Sequence, residues 1–263
     1  MRNNLNIEAL LKPKSIAVVG ASEKPGAGRQ VIENLENLGY TGKLYPVNPK
    51  YDEVAGRKCF SSLTELSDKN GEIDLVAILL SNKMVLPILK EANEAGAKAV
   101  WAFASGFAEA GEEGEELQRK VTEFCNENNI AFHGPNCVGF VNTINRAGAY
   151  SAPLSPELKK GNIGAIAQSG SLSMAMANSA LDVGFSYIIS SGNEAQLDSS
   201  DYISYMIDDD DTDVIIGFIE QFRDPEKLKK VAKKAEEKNI PIIVLKVGKS
   251  DIAQRATQAH TAA

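Results

Sequence analysis

Short runs of consecutive apolar residues alternate along this chain with longer stretches whose apolar residues recur every three to four positions. The first kind comprises SIAVVG (15–20), KLYPVN (43–48), IDLVAILL (73–80), AKAVWAF (97–103) and IAFHG (130–134). The second comprises 28–38, closed by Gly39, then 84–95 and 114–128. An unbroken apolar run is the mark of a strand covered on both faces, and the longer repeat is that of an amphipathic helix. The order is therefore β–α–β repeated, which predicts a parallel sheet with helices on both sides. Residues 142–161 break the rhythm with Pro153, Pro156 and small polar side chains, and read as a linker. The alternation then restarts: strand 162–168, helix 171–183, strand 185–190, helix 199–207, strand 213–220, helix 225–238 and strand 240–247. The predicted fold class is α/β, with two doubly wound domains over 1–145 and 146–263.

Composition narrows the function classes. The chain has 263 residues, 43% of them hydrophobic and 24% charged, as expected of a globular protein with ample core. A net charge of −7 argues against a nucleic-acid surface, which needs a basic stripe for phosphates. It leaves room for a small polyanion held by local backbone donors and a few lysines. The first residues lack the long apolar stretch of a signal peptide, and no run is long enough to span a membrane. Cys59, Cys125 and Cys137 are odd in number and lack metal-site spacing, which fits a reducing cytoplasm, with no metal bound by this chain.

Candidate chemistry gathers where predicted strands end. GASEKPGAGR (20–29) is a glycine-rich turn between the first strand and first helix, suited to bring backbone N–H groups to a phosphate or simply to turn tightly. It is neither GxGxxG nor a P-loop. A nicotinamide fold places an acid at the tip of its second strand, but here the strand ends in Asn48-Pro49-Lys50, and Lys50 suits a ligand phosphate. Ser105, in SGF (105–107), borders the same sheet edge, and the acidic residues that follow fit a solvated helix start. Asn136 and Cys137 lie in the Gly-Pro turn of HGPNCVGF (133–140), where His133, beside apolar Phe132, reads as structural.

In the second half, Ser169-Gly170-Ser171 opens a helix, with exposed N–H donors and hydroxyls that suit an anion. The surrounding AQSGS is not the GxSxG of a serine hydrolase. Glu220 ends the strand DVIIGFIE, either to orient an imidazole or to face solvent. His260 lies in a small, polar C-terminal segment, either as an idle surface residue or as a nucleophile on an arm. The acidic run 208–213 reads as a loop rather than a metal site.

Taken in order, SIAVVGAS, GKLYPVNP, SGF with EAGEEG, GPNCVGFVN, GNIGAIAQSGSLS, SSGNEAQLDSSDYISYM, FIEQFRDP, PIIVLKVGKS and QAHT resemble the α-type half of the nucleoside-diphosphate-forming acyl-CoA synthetases. That superfamily includes succinyl-CoA synthetase, and the closer resemblance is to the ADP-forming acetyl-CoA synthetases. The resemblance covers nearly the whole chain. It implies a Rossmann-like CoA-binding domain followed by a flavodoxin-like domain of the succinyl-CoA-synthetase type. It implies that His260 is transiently phosphorylated, that Ser169, Gly170 and Ser171 receive the phosphohistidine, and that Glu220 orients it. Gly20, Ser22, Gly28, Arg29, Asn48, Lys50 and Ser105 fall in the matching coenzyme A region, and Asn136 and Cys137 match the turn near the thiol end. The family follows its histidine with Thr-Gly-Ser where this chain reads Thr-Ala-Ala, and ILLSNK lacks a common proline.

The implied reaction is the reversible conversion of acid, CoA and ATP to acyl-CoA, ADP and phosphate, through an acyl phosphate and a phosphohistidine. The acid would be short, such as acetate, 3-hydroxypropionate or 4-hydroxybutyrate. ATP or ADP and Mg2+ would sit on an ATP-grasp partner, either a β subunit or a fused C-terminal half, in an oligomer. On this reading the second domain is cut short at its C-terminal end. A non-catalytic CoA-binding or regulatory module is the alternative, and the absent ribose acid disfavours a redox Rossmann enzyme.

Overall fold

The computed structural model describes residues 6–179 and 182–248. After α1 (Ile7–Leu11) come β1 (Ser15–Val19), α2 (Ala27–Leu38), β2 (Lys43–Val47) and a small hairpin, β3 (Glu53–Val54) with β4 (Arg57–Lys58). Then follow α3 (Leu63–Asn70), β5 (Leu75–Ile78), α4 (Asn82–Glu94), β6 (Ala99–Ala102), α5 (Glu112–Glu127) and β7 (Ala131–His133). Five strands form a parallel sheet in the order β2-β1-β5-β6-β7. Strands β1, β5, β6 and β7 are buried at every position, which is why they read as unbroken apolar runs. The winding reverses between β1 and β5, and that reversal leaves a crevice beyond their carboxyl ends.

The second half supplies β8 (Gly139–Asn142), β9 (Ala147–Tyr150), β10 (Lys159–Ala167), α6 (Gly170–Ala177), β11 (Gly184–Ser190), α7 (Ser199–Ile207), β12 (Val214–Ile219), α8 (Pro225–Lys238) and β13 (Ile242–Lys246). Their sheet runs β13-β12-β10-β11-β8-β9, parallel except for the β8–β9 hairpin at one edge. Helix α6 packs on β10 and β11, while α7 packs on β10 and β12 and against α8. The winding reverses between β10 and β12, so a second crevice opens beyond those two strand ends.

The second sheet reaches further toward the N-terminus than the expected boundary at residue 145. Strand β8 already pairs antiparallel with β11, and part of the stretch read as linker is β9. Proline and small residues signalled a break in the winding, but Phe140, Val141 and Tyr150 still find a buried face there. Asn142 makes the turn: its Oδ1 accepts from the N–H groups of Ile144 and Asn145 at 3.0 Å each. Its Nδ2 donates to the carbonyl of Leu11, also at 3.0 Å. Helix α6 stops at Ala177 rather than 183, where Asn178 caps it by donating to the Met174 carbonyl.

One apolar cluster runs through both sheets, joining Leu10, Leu11, Ile16 and Trp101 to Phe140, Tyr187, Tyr202 and Ile219. Lys12 Nζ reaches Asp209 Oδ1 at 2.6 Å across the same junction. The loop after β11 also crosses it: Asn193 N donates to Pro135 O and Ala195 N to Gly134 O, each at 3.0 Å. Gly192 sits at φ +61°, and a Cβ there would lie 2.2 Å from the Pro135 carbonyl oxygen, so only glycine fits. The face of β12 and β13 beside α6 is open, with Ile243 63% and Leu245 62% exposed. Among the described residues, no helix is long and apolar enough to cross a membrane.

Candidate functional site

The first crevice holds a cleft of about 360 Å³ lined by Gly20, Asn48, Lys50, Ser62, Leu80 and Glu91, among others. Three residues expected to meet a ligand, Gly20, Asn48 and Lys50, thus come together at the ends of β1 and β2. Gly20 is held at φ +91°, where a Cβ would meet the Leu79 carbonyl oxygen at 2.8 Å. Gly28 serves the same turn from below: a Cβ on it would meet Gly20 O at 2.5 Å, so α2 approaches β1 this closely only with glycine. Asn48 is a structural brace. Its Nδ2 donates to Ala21 O at 2.7 Å and its Oδ1 accepts from Lys50 N at 3.0 Å, which locks the two strand tips together. The Lys50 side chain is exposed at the rim.

The remaining residues expected on this side do not line that cleft. Ser22 Oγ accepts from Lys24 N at 3.0 Å, which shapes the glycine-rich turn. Arg29 is paired with Glu33 at 2.8 Å and with Glu23 at 3.2 Å, and these carboxylates raise its pKa, Glu33 most. Any phosphate meeting this guanidinium must compete with them. Ser105 is exposed on the loop after β6. Asn136 N donates to Ala104 O at 2.9 Å, joining the Gly-Pro turn to that loop, and Asn136 Nδ2 donates to Asn193 Oδ1 at 3.2 Å across the domain junction. Cys137 points inward, where its Sγ accepts from Trp101 Nε1 at 3.3 Å and burial pushes the thiol up to about 12. Only its backbone can serve a ligand. His133 is fully buried between Phe140 and Tyr202, with Nδ1 at 2.5 Å from the Tyr202 hydroxyl. Burial pushes it down to about 3, so it is a neutral packing residue.

The second crevice brings together the other half of the candidate site. Ser169 is the N-cap of α6 but makes no side-chain cap, so the first N–H groups of that helix, from Gly170 and Ser171 onward, are left for an anion. Glu220 follows β12 and is buried. Between them stands Gln168, which sequence reading passed over. Its Oε1 accepts from Glu220 N at 2.7 Å and Gln221 N at 2.9 Å, and its Nε2 donates to Gln221 O at 2.6 Å. One amide side chain thus clasps the end of β12 to the residue immediately before Ser169-Gly170-Ser171. From the outer strand, Lys246 donates to the carbonyl of Glu220. His260 lies outside the described residues.

Beneath this crevice is a set of buried polar residues that composition could not flag, Ser191, Asn193 and Glu194 with Gln168, joined by the half-buried Arg223. Asn193 binds Gln118 Oε1 at 3.0 Å and Glu109 Oε2 at 2.5 Å, both from the first domain. Arg223 donates to Asn193 O at 3.0 Å. Glu194 accepts from Ser191 Oγ at 2.8 Å and is only 6% exposed. Burial pushes its carboxyl up to about 7, against the pull of Ser191, Gln168 and Arg223. The available signal was a polar stretch, SSGNEAQ, directly after an apolar strand; its burial followed only from the contacts.

Comparison with known proteins follows the same two halves. Residues 14–143 match the family described as CoA binding domain, and residues 160–263 the family described as succinyl-CoA ligase like flavodoxin domain. The chain is 39% identical over 252 residues to an ADP-forming acetate–CoA ligase of Methanocaldococcus jannaschii, which covers 95% of this chain and 34% of that protein. It is 36% identical over 264 residues to the alpha subunit of ADP-forming acetate–CoA ligase I of Pyrococcus furiosus, covering 98% of this chain and 56% of the subunit. Its fold matches the dinucleotide forming acetyl-coenzyme A synthetase 1 of Ca. Korarchaeum cryptofilum, solved in complex with phosphate and ADP. That match has a TM-score of 0.88 and 33% identity over 98% of this chain and 55% of the other. The chain therefore spans between 34% and 56% of the length of these relatives.

Proposed function

This chain belongs to the NDP-forming acyl-CoA synthetase family, as its α-type pair of CoA-binding and succinyl-CoA-ligase-like domains, and from that premise we propose that it is the CoA-binding and phosphoryl-carrying part of an ADP-forming acid–CoA ligase. The observation that carries the proposal is the Gln168 clasp. It holds an uncapped helix N-terminus and a buried carboxylate residue together at one crevice, an anion-binding group beside a group that can orient a base.

On this reading CoA lies along the first crevice. The Gly20 turn lets backbone approach a phosphate group, and Lys50 supplies charge at the rim. Phosphate attacks the thioester carbon of acyl-CoA, and the C–S bond breaks to release CoA and leave an acyl phosphate. A neutral imidazole nitrogen of His260 then attacks phosphorus, and the acid leaves as carboxylate. The N–H groups at the start of α6 hold the phosphoryl oxygens, and Glu220 balances the positive charge that develops on the imidazole. Phosphohistidine next passes the group to ADP on an ATP-grasp partner, either a separate subunit or a fused half. Every step is reversible, so acyl-CoA forms from acid, CoA and ATP in the other direction. The acid is a short one, with acetate as the first candidate and hydroxy acids such as 3-hydroxypropionate or 4-hydroxybutyrate next.

The test is incubation of the chain with acetyl [32P]phosphate, followed by measurement of acid-labile protein-bound label. Wild type takes the label, and His260→Gln takes none while still binding CoA. Full labelling of His260→Gln removes the histidine from the mechanism. CoA binding with no label in wild type favours a regulatory CoA-binding module instead.

A further inference from the structure

The two peptide units that flank the Glu220 Cα are bonded at every polar atom, and their partners come from the strands on either side of β12. From the end of β10, Gln168 Oε1 accepts from Glu220 N at 2.7 Å and Gln221 N at 2.9 Å. From the end of β13, Val247 N donates to Ile219 O at 3.1 Å and Lys246 Nζ donates to Glu220 O. The unit before the Cα is thus held through its N–H by Gln168 and through its carbonyl by Val247. The unit after it is held through its N–H by Gln168 and through its carbonyl by Lys246. A residue has only two soft backbone torsions, so fixing both flanking planes fixes the direction in which the Glu220 side chain leaves the chain.

Lys246 is the unusual member of this clamp. The Val247 bond continues the β12–β13 ladder, which pairs Ile219 with Lys246, but a side chain from the outer strand is no part of that ladder. A lysine at the end of an edge strand ordinarily carries its ammonium out to water. Here the side chain is half-buried and turns back to donate to Glu220 O and Val247 O, and among the described residues it meets no carboxylate. We propose that Lys246 is a positioning residue for phosphoryl transfer, holding Glu220 from the side opposite Gln168. Val247, bonded by the same ammonium, stands thirteen residues before His260 in the sequence, so the carboxylate residue and the root of the segment that carries the histidine share one anchor. This role rests on the phosphoryl-carrier reading given above and adds a residue to it.

The test follows the rate at which acetyl [32P]phosphate labels the chain as its concentration is varied. Lys246→Met keeps an unbranched stem and removes the donor. It is expected to label about tenfold more slowly at saturation, the scale of a small misplacement near reacting groups. Its half-saturating concentration stays as in wild type, because the amides at the start of α6 that hold the phosphoryl oxygens are untouched. Lys246→Cys is expected to be equally slow. It recovers when 2-bromoethylamine alkylates the introduced thiol, a C–S bond forming as bromide leaves, which restores an ammonium at the length of lysine. Cys59, Cys125 and Cys137 are buried, and burial raises each thiol, so the reagent goes to the introduced one. CoA binding is unchanged in every variant and reports folding.

Labelling of K246M at the wild-type rate overturns the role of Lys246 while leaving the phosphoryl-carrier reading intact. A loss seen only as a higher half-saturating concentration overturns it too, since it makes Lys246 a phosphate contact and not a positioning residue. So does alkylated K246C that binds CoA but stays slow, and that measurement stands even where K246M does not fold. A wild type that takes no label overturns both readings.

Discussion

At the scale of single residues, the buried ionisable groups decide how the chain responds to pH. His133 is held near 3 against an ordinary value of about 6.5, so the unfolded chain takes up a proton in that window and the folded chain does not. Its contribution is fully present above about pH 6.5 and is lost as pH falls toward 3, on the order of 3 kcal/mol by pH 4. Glu194 works the other way: its folded value is raised, so stability present below about pH 4.5 is lost as pH rises through 7. Thermal unfolding followed from about pH 4 to pH 7 is expected to show a shallower acid decline in His133→Leu than in wild type. Equal slopes would mean that His133 is protonated in the fold. That His133 is structural was legible from its apolar neighbours. Glu194, Gln168 and Arg223 were not, because a glutamate in a polar stretch carries no mark of burial until two sheets close over it.

At the scale of elements, the apolar runs gave the strands to within a residue or two wherever both faces are covered, as in β1 and β5. Expectation fell short where an element is short or lies at an edge. Strand β9 was read as linker, since the four residues Ala-Gly-Ala-Tyr hold no period. Helix α3 was passed over for a similar reason, although its start was written in the sequence as Ser62-x-x-Glu65. Ser62 Oγ accepts from Glu65 N at 3.0 Å, and Ser61, Ser62 and Leu63 form one wall of the first cleft. Ser62→Ala is expected to cost about 1 kcal/mol of stability, measured by urea unfolding. It should also weaken CoA binding through that wall. A variant with unchanged midpoint and affinity would show that the cap contributes nothing.

At the scale of the whole molecule, two sheets that each resemble a domain share one interior. The cluster from Leu10 to Ile219, the Lys12–Asp209 pair and the loop from Ser191 to Leu197 all cross the junction. Calorimetry of the chain is therefore expected to give a single transition whose calorimetric and van't Hoff enthalpies agree. Two resolved transitions would mean that the junction melts first. Both crevices were foreseeable from the order of strands and helices, because a reversal of winding opens one at the strand ends. Their rigid connection was not, since it depends on backbone hydrogen bonds between distant segments.

The shared loop has a consequence for movement. Asn193 and Ala195 donate to backbone carbonyls of the Gly134-Pro135 turn, and Gly192 leaves no room for even one methyl group against it. A hinge at this point would have to break buried hydrogen bonds with no water to replace them. The two sheets therefore act as one fixed stator, and the distance between their crevices is set by the fold rather than by the bound ligand. Under the proposed reaction, a group that must reach a second site has to be carried by something other than a hinge between these sheets.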